Sequence, residues 1–387
     1  MKRPYLLPAF FCLVGMAVGQ SPIVLSYRQP EVKAKAAILV DVRTGQVLFE
    51  KNADQKLPPA SVTKLMTALI LMENCQPDEI VRASERATKT PSSSMHLMRD
   101  EEVSVHGMLQ ALLLRSANDG CVAVAEHVGG SLEKFVDRMN AKAKSLGATS
   151  TTFRNPHGLH DKEHLSTARD LAKIALEAIK IPLINETAKL PTCCIVRSMN
   201  QEDTVFISPN KFLGKYQWAD GLKTGYTRQA GPCLAASATR DGRRQIAIIL
   251  NSPDRDSDAI ALMEYGFNQW TAVPRPPDTI KAKVGNREIK AVAGQVQEAL
   301  VPAVAAASSR WVVEVEPERV SAQEGDVIGK VKLLGEGEPL VMADLVSMES
   351  VGPPTHWSRV FGALFLGAAA LAYTGRRKRH RRRPHGR

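Results

Sequence analysis

The stretch LPPASVTKLMTALILMENC, Leu57–Cys75, decides how this chain is read. Two prolines and an alanine precede Ser61, Lys64 follows three residues later, and an apolar run continues beyond it. The pattern predicts a helix from near Ser61 to about Glu73. On a helix, positions i and i+3 share a face, so the Lys64 amine can reach the Ser61 hydroxyl. The electropositive start of a helix favours both an alkoxide and a neutral lysine. A lysine serves as a base only without its extra proton, which demands burial or cationic neighbours. The bland alternative is an ordinary helix start with Lys64 on the wet face, and Ser-x-x-Lys alone does not choose between the two.

Two further segments do. LLLRSANDGCVAVAEH places Ser116-Ala117-Asn118 at the end of an apolar helix. DGLKTGYTRQAG places Lys223-Thr224-Gly225 on a predicted strand ahead of the one that begins at Cys233. Ser-x-x-Lys, Ser-Asp-Asn and Lys-Thr-Gly together mark class A β-lactamases and penicillin-binding proteins. Here the middle element is Ser-Ala-Asn, which keeps both outer polar side chains, and the three elements come in the matching order.

From about Ala34 to Trp270 the chain therefore resembles a low-molecular-mass penicillin-binding protein of the D-alanyl-D-alanine carboxypeptidase type, within the serine β-lactamase-like superfamily. AAILVDVRTGQVLFEKNADQKLPPASVTKLMTALI, LLLRSANDG, FRNPHGL and LKTGYTRQAG carry the likeness. The resemblance implies an α/β (α+β) fold, with an antiparallel sheet flanked by helices and the site between sheet and helical lobe. It implies Ser61 as the acylated nucleophile and Lys64 as its base. Ser116 would pass the proton to the leaving D-alanine, since a hydroxyl donates and accepts at once. Asn118 would hold Lys64 and the substrate amide. Lys223 and Thr224 would meet the substrate carboxylate, and Gly225 would let substrate lie close to the strand. The backbone N–H groups of Ser61 and Tyr226 would form the oxyanion hole. Arg255, in NSPDRDSD, is a second carboxylate candidate, placed in a loop after a strand; equally, it could pair with Asp254 or Asp256. The implied partners are peptidoglycan stem peptides and β-lactams, and the chemistry requires no metal or organic cofactor.

Around this centre, Ala36–Val42 and Gln46–Lys51 read as a hairpin about Thr44-Gly45, and residues 233–239 and 244–251 as a second about Asp241-Gly242. Residues 104–180 are mostly helical in pattern, and a final amphipathic helix is expected over 258–270. Strands thus lie at both ends of this unit, and one sheet uniting them would bring those ends together mid-fold. VPRPPD, from Val273 to Asp278, reads as a linker to short alternating runs at 279–284, 310–315 and 326–333, a small all-β domain. The expected organisation is a signal peptide at 1–19, a peptidase domain at 30–272, a β-rich domain at 278–350, a membrane-anchoring helix at 357–374 and a basic tail at 375–387.

The 387-residue chain carries a formal charge of +11, but its last twelve residues hold eight Lys/Arg and its second and third are Lys2 and Arg3. The remainder is nearly neutral, which argues against a nucleic-acid partner. The basic start with its apolar stretch predicts export, and the basic tail after 357–374 predicts attachment to the outer face of the cytoplasmic membrane. The six cysteines show no disulfide framework. His157, His160, Glu163 and His164 cluster in FRNPHGLHDKEH, yet the order is not His-Glu-x-x-His, and Pro156 and Gly158 break any helix there. His96, His106 and His127 are single and read as packing or surface residues.

Three rivals remain in view. A class A β-lactamase needs a deacylating Glu-x-x-x-Asn, but Glu163 is followed by His164-Leu165-Ser166-Thr167. A D,D-endopeptidase would use the same residues. A catalytically idle wall-binding protein would be expected to have lost one of them.

Overall fold

The continuously apolar AAILVD of Ala36–Asp41 is explained by its place in the molecule. In the computed structural model, which describes residues 29–294, 299–334 and 339–352, this strand is buried on both faces. It runs antiparallel to Val47–Lys51 on one side and to Arg243–Leu250 on the other, with Ala36 opposite Leu250 and Asp41 opposite Gln245. Gly231–Arg240 and then Ala219–Thr227 complete a five-stranded sheet, so the first strand of the unit meets its last. Because side chains alternate across a strand, Ile38 and Val40 face the helical lobe, whereas Ala37 and Leu39 face the opposite layer. That second layer is the helix Arg255–Gln269, which packs Leu262, Met263 and Tyr265 under the sheet.

Two boundaries differ from the sequence expectation in ways that bear on the site. The helix expected from Ser61 is an α-helix only over Lys64–Asn74; Ala60–Thr63 forms a tighter 3-10 turn, entered through Ala60 at φ 49°. In that geometry i and i+3 eclipse, which brings Ser61 and Lys64 together more closely than a regular α-helical turn. The last helix starts at Arg255 rather than Asp258, because Asp254 caps it by accepting from Ser257 N. Arg255 therefore opens a helix and does not lie in a loop.

The helical lobe is tied to the Ser-Ala-Asn segment by buried charge. The Arg197 guanidinium, fully buried, grips both oxygens of the equally buried Glu101 at 2.8 and 2.9 Å. Its remaining N–H groups donate to the carbonyls of Met95, Asp203 and His96. This clamps residues 95–101 against the short hairpin Thr192–Cys194/Val205–Ile207.

Downstream, Trp270–Val273 pairs with Ala299–Pro302. A separate five-stranded antiparallel sheet then follows in the order Ile280–Val284, Arg287–Ala293, Pro339–Ser347, Val327–Leu334, Arg310–Val315. Ile289, Ala291, Ile328, Val331 and Leu345 form its core. The side-chain amide of Gln46 exchanges two hydrogen bonds with the Leu300 backbone, and the Trp311 indole N–H donates to Pro274 O. Among the described residues, no helix is long and apolar enough to cross a membrane. The segments read as signal peptide, anchoring helix and basic tail lie outside the described residues.

Removing one partner of the Arg197–Glu101 pair leaves a buried charge unpaired. We expect Arg197→Met to lower the unfolding free energy by about 3–5 kcal/mol in urea titrations. Arg197→Met combined with Glu101→Leu is expected to lose less than the single variant. A single-variant loss under about 1 kcal/mol would show that the pair does not anchor this loop.

Candidate active site

Lys64 is wholly buried although it carries an amine. That cost is met by three acceptors at once. Lys64 Nζ donates to Ser61 Oγ at 3.0 Å, Asn118 Oδ1 at 2.8 Å and His157 O at 2.7 Å. Burial lowers its pKa from the usual 10.5 to about 8. A substantial neutral fraction is therefore available near pH 7–8, within hydrogen-bond reach of a serine hydroxyl.

Asn118 is held from both ends. Its N–H donates to Ser93 O at 2.7 Å and its side-chain Nδ2 to Pro91 O at 2.8 Å, which turns Oδ1 toward Lys64. The neighbouring Asp119 fixes the same loop, accepting from Ser94 Oγ, Met95 N and Leu97 N. Ser116 lies just before, buried and in a left-handed conformation (φ 59°), where the helix Val105–Gln110 has widened into a π-type turn over Ala111–Arg115. Such turns recur at functional sites because they re-aim the residue that follows.

The FRNPHGL segment closes the far side of Lys64. Gly158, at φ +86°, has no room for a side chain, since a Cβ there would lie 1.9 Å from Ala60 O. Thr67 Oγ1 donates to Pro156 O at 2.5 Å. His164 Nδ1 accepts from Arg154 N, so Nε2 carries the proton and donates to Thr63 Oγ1, which in turn donates to Ala60 O. Burial depresses His164 to about 4 and His157 to about 3, and the Lys64 charge opposes protonation of both. Both rings are neutral near pH 7. Their work is to brace the turn that carries Ser61, and His157 Nδ1 accepts from Leu159 N.

Lys223, Thr224 and Gly225 lie on Ala219–Thr227, the edge strand of the main sheet. Lys223 is buried, and its Nζ donates to Thr224 O at 3.1 Å. Burial first, and the Lys64 charge second, push its pKa well below the ordinary lysine value. An anion entering here would find two buried amines and little competing solvent. Gly225 has a nearer reason than room for substrate: a Cβ on it would stand 3.0 Å from Ser61 N and 3.2 Å from Pro59 O. Its bareness lets the edge strand press against the Ser61 turn. The Tyr226 side chain points outward and is exposed.

Arg255 reaches the back of this strand. Its Nη1 donates to Gly225 O at 2.9 Å and Cys233 O at 3.1 Å, while Nε lies 3.8 Å from Asp256 Oδ1. Of the two sequence alternatives, the pairing with Asp256 is present as a long 3.8 Å contact, and the guanidinium also braces the Lys-Thr-Gly strand from behind, a role the sequence did not suggest. Asp119 and Arg197 carry no motif in the sequence, and His164, weighed there only as part of a histidine cluster, proves to brace the Ser61 turn through Thr63. Asp119 directly follows the Ser-Ala-Asn element, a positional hint. Arg197 has no local signal at all, because its partners come from distant loops.

The site therefore brings together a hydroxyl, two depressed amines, an amide and a strand edge. A sequence model of the D-alanyl-D-alanine carboxypeptidase family, peptidase family S11, matches residues 23–254. The D-alanyl-D-alanine carboxypeptidase DacF of Bacillus subtilis is 32% identical over 335 residues, spanning 82% of this chain and 86% of that protein. A D-alanyl-D-alanine endopeptidase of Escherichia coli is 30% identical over 288 residues, 73% of this chain and 92% of its own length. The crystal structure of penicillin binding protein 5 from Haemophilus influenzae superposes with a TM-score of 0.74 at 28% identity, covering 84% of this chain and 99% of that one. On this shared sequence and architecture, the chain belongs to the D-alanyl-D-alanine carboxypeptidase family of serine peptidases.

Proposed function

We propose that the chain removes the terminal D-alanine from peptidoglycan stem pentapeptides by acyl transfer through Ser61. The observation that carries this reading is the 3.0 Å contact between Ser61 Oγ and a Lys64 amine whose pKa burial has lowered to about 8. Ser61 Oγ attacks the carbonyl between the last two D-alanines while its proton passes to Lys64. The carbonyl oxygen is stabilised by the backbone N–H groups of Ser61 and Tyr226. The C–N bond breaks, and the amine of the departing D-alanine takes a proton from Lys64 by way of Ser116. Water then hydrolyses the ester and regenerates the Ser61 hydroxyl.

The Lys223 and Thr224 side chains receive the substrate's terminal carboxylate. Arg255 supports that strand from behind and adds positive charge nearby. The position of Ala219–Thr227 at the end of the sheet suits an extended peptide laid alongside it. β-Lactams enter as mimics of the scissile amide and stall as the Ser61 ester. The catalytic unit is read as residues 30–272 and the β-rich unit as 278–350. Export through a 1–19 signal and anchoring through 357–374, on the outer face of the cytoplasmic membrane, complete the proposed arrangement.

Intact-protein mass spectrometry with penicillin is expected to show one acyl adduct on the Ser61 peptide and none in Ser61→Ala. An adduct of undiminished yield in that variant places the nucleophile elsewhere.

The Lys64 amine acts in its neutral form, so the sign of the pH effect follows from its lowered pKa. The acylation rate constant should climb about tenfold per pH unit below about 8 and level off above it. Stopped-flow acylation across about pH 6–9 measures this, and a flat profile removes Lys64 from the role of base.

Carboxypeptidase and endopeptidase action separate on substrate. We expect D-alanine release from a diacyl pentapeptide to outpace cleavage of a cross-linked muropeptide dimer by about tenfold or more. The reverse ratio would reassign the main activity to cross-link cleavage.

A further inference from the structure

The helices that begin with Lys64 and Asn118 run side by side, and the far ends of both carry potential metal ligands. Cys75 is the residue on which Lys64–Asn74 ends, and His127 lies in the last turn of Asn118–Gly129. Glu79, just ahead of the strand Ile80–Arg82, stands between them. The Cys75 thiol, a Glu79 carboxylate oxygen and a His127 ring nitrogen all lie within 4.8 Å of one another. His127 Nε2 is 3.1 Å from Glu79 Oε1. The Glu79 backbone is fixed, because its carbonyl accepts from Val105 N and its N–H donates to Gln76 O.

We propose that Cys75, Glu79 and His127 form a binding site for a divalent transition-metal cation of the zinc type. A thiolate, an imidazole and a carboxylate are the donor set that zinc takes, with bonds of about 2.3, 2.0–2.1 and 2.0–2.2 Å. Tetrahedral geometry at those lengths spaces donors about 3.3–3.6 Å apart, so donors now within 4.8 Å close in by up to about 1.5 Å. On binding, the Cys75 S–H bond breaks, its proton leaves to solvent and the sulfur donates its electron pair to the cation. One thiolate and one carboxylate then balance the double positive charge. Water completes the fourth position, since Glu79 and His127 are partly exposed. A second, independent feature favours a cation here. Two helix C-termini converge on the cluster, and each presents the negative end of its dipole.

The site would fasten together two helices whose opposite ends hold Lys64 and Asn118, about 16 Å away along an 11-residue helix. The cation would take no part in the chemistry; it would fix the helix pair that presents the base and its partner amide.

Titration of the full, reduced, metal-free protein with Co2+ tests this directly. A thiolate-to-cobalt charge-transfer band should grow to saturation at one equivalent and disappear on addition of Zn2+. Cys75→Ser should abolish the band, His127→Ala should weaken Co2+ binding more than about tenfold, and Cys194→Ser should leave both unchanged. No band in the wild type, a band surviving Cys75→Ser, or wild-type affinity in His127→Ala overturns the proposal. Thermal unfolding of each variant without metal checks folding; if Cys75→Ser unfolds early, the partly exposed His127→Ala position decides. None of these readouts depends on peptidase activity.

Discussion

A single buried amine organises this protein. Lys64 lies in the core with hydrogen bonds to Ser61, Asn118 and the His157 carbonyl, and each acceptor comes from a different stretch of chain. A lysine buried without such acceptors would be strongly destabilising, so the three segments must arrive together or the amine cannot stay. The same confinement lowers its proton affinity, which makes stability and reactivity two results of one arrangement. The shells around it serve that arrangement: Asp119 and Arg197 hold the loop behind Asn118, and His164 and Gly158 hold the turn beneath Ser61.

Much of this was legible in the sequence because it follows local rules. The period-two and unbroken apolar runs gave the strands, and Asp241-Gly242 gave the hairpin that joins the last two. The three short motifs fell where the structure places them: at a helix start, after a helix end and on an edge strand. The 3-10 turn at Ser61 was not legible, because it depends on the positive φ of Ala60 and on the bare Gly158 packed against that residue. Nor was the Arg197–Glu101 pair, whose partners are joined only by the folded path of the chain. The helix start at Arg255 is hidden in the sequence because Asp254 resembles a charge partner for Arg255, whereas in the structure it caps the helix.

The sheet and the motifs are also matched in shape. The edge strand that carries Lys223 approaches the Ser61 turn so closely that a Cβ at position 225 would crowd the backbone at 3.0–3.2 Å. On the reverse side, Arg255 bonds carbonyls on that strand and its neighbour. The strand is therefore pressed from the front and braced from behind, yet among the described residues no further strand pairs with its outer edge. Rigidity of the walls with one free rim suits a groove for an extended peptide.

The pairing of Ala36–Asp41 with Arg243–Leu250 has a consequence for the timing of biogenesis. The centre of the sheet cannot close until nearly the whole unit has been synthesised, because the strand that completes it is encoded last. Contacts this distant in sequence slow folding and leave a long interval in which the nascent polypeptide is pliable. The cluster around Ser61 and Lys64, assembled only at the final step, would stay apart throughout synthesis and come together once the closing strand has taken its seat.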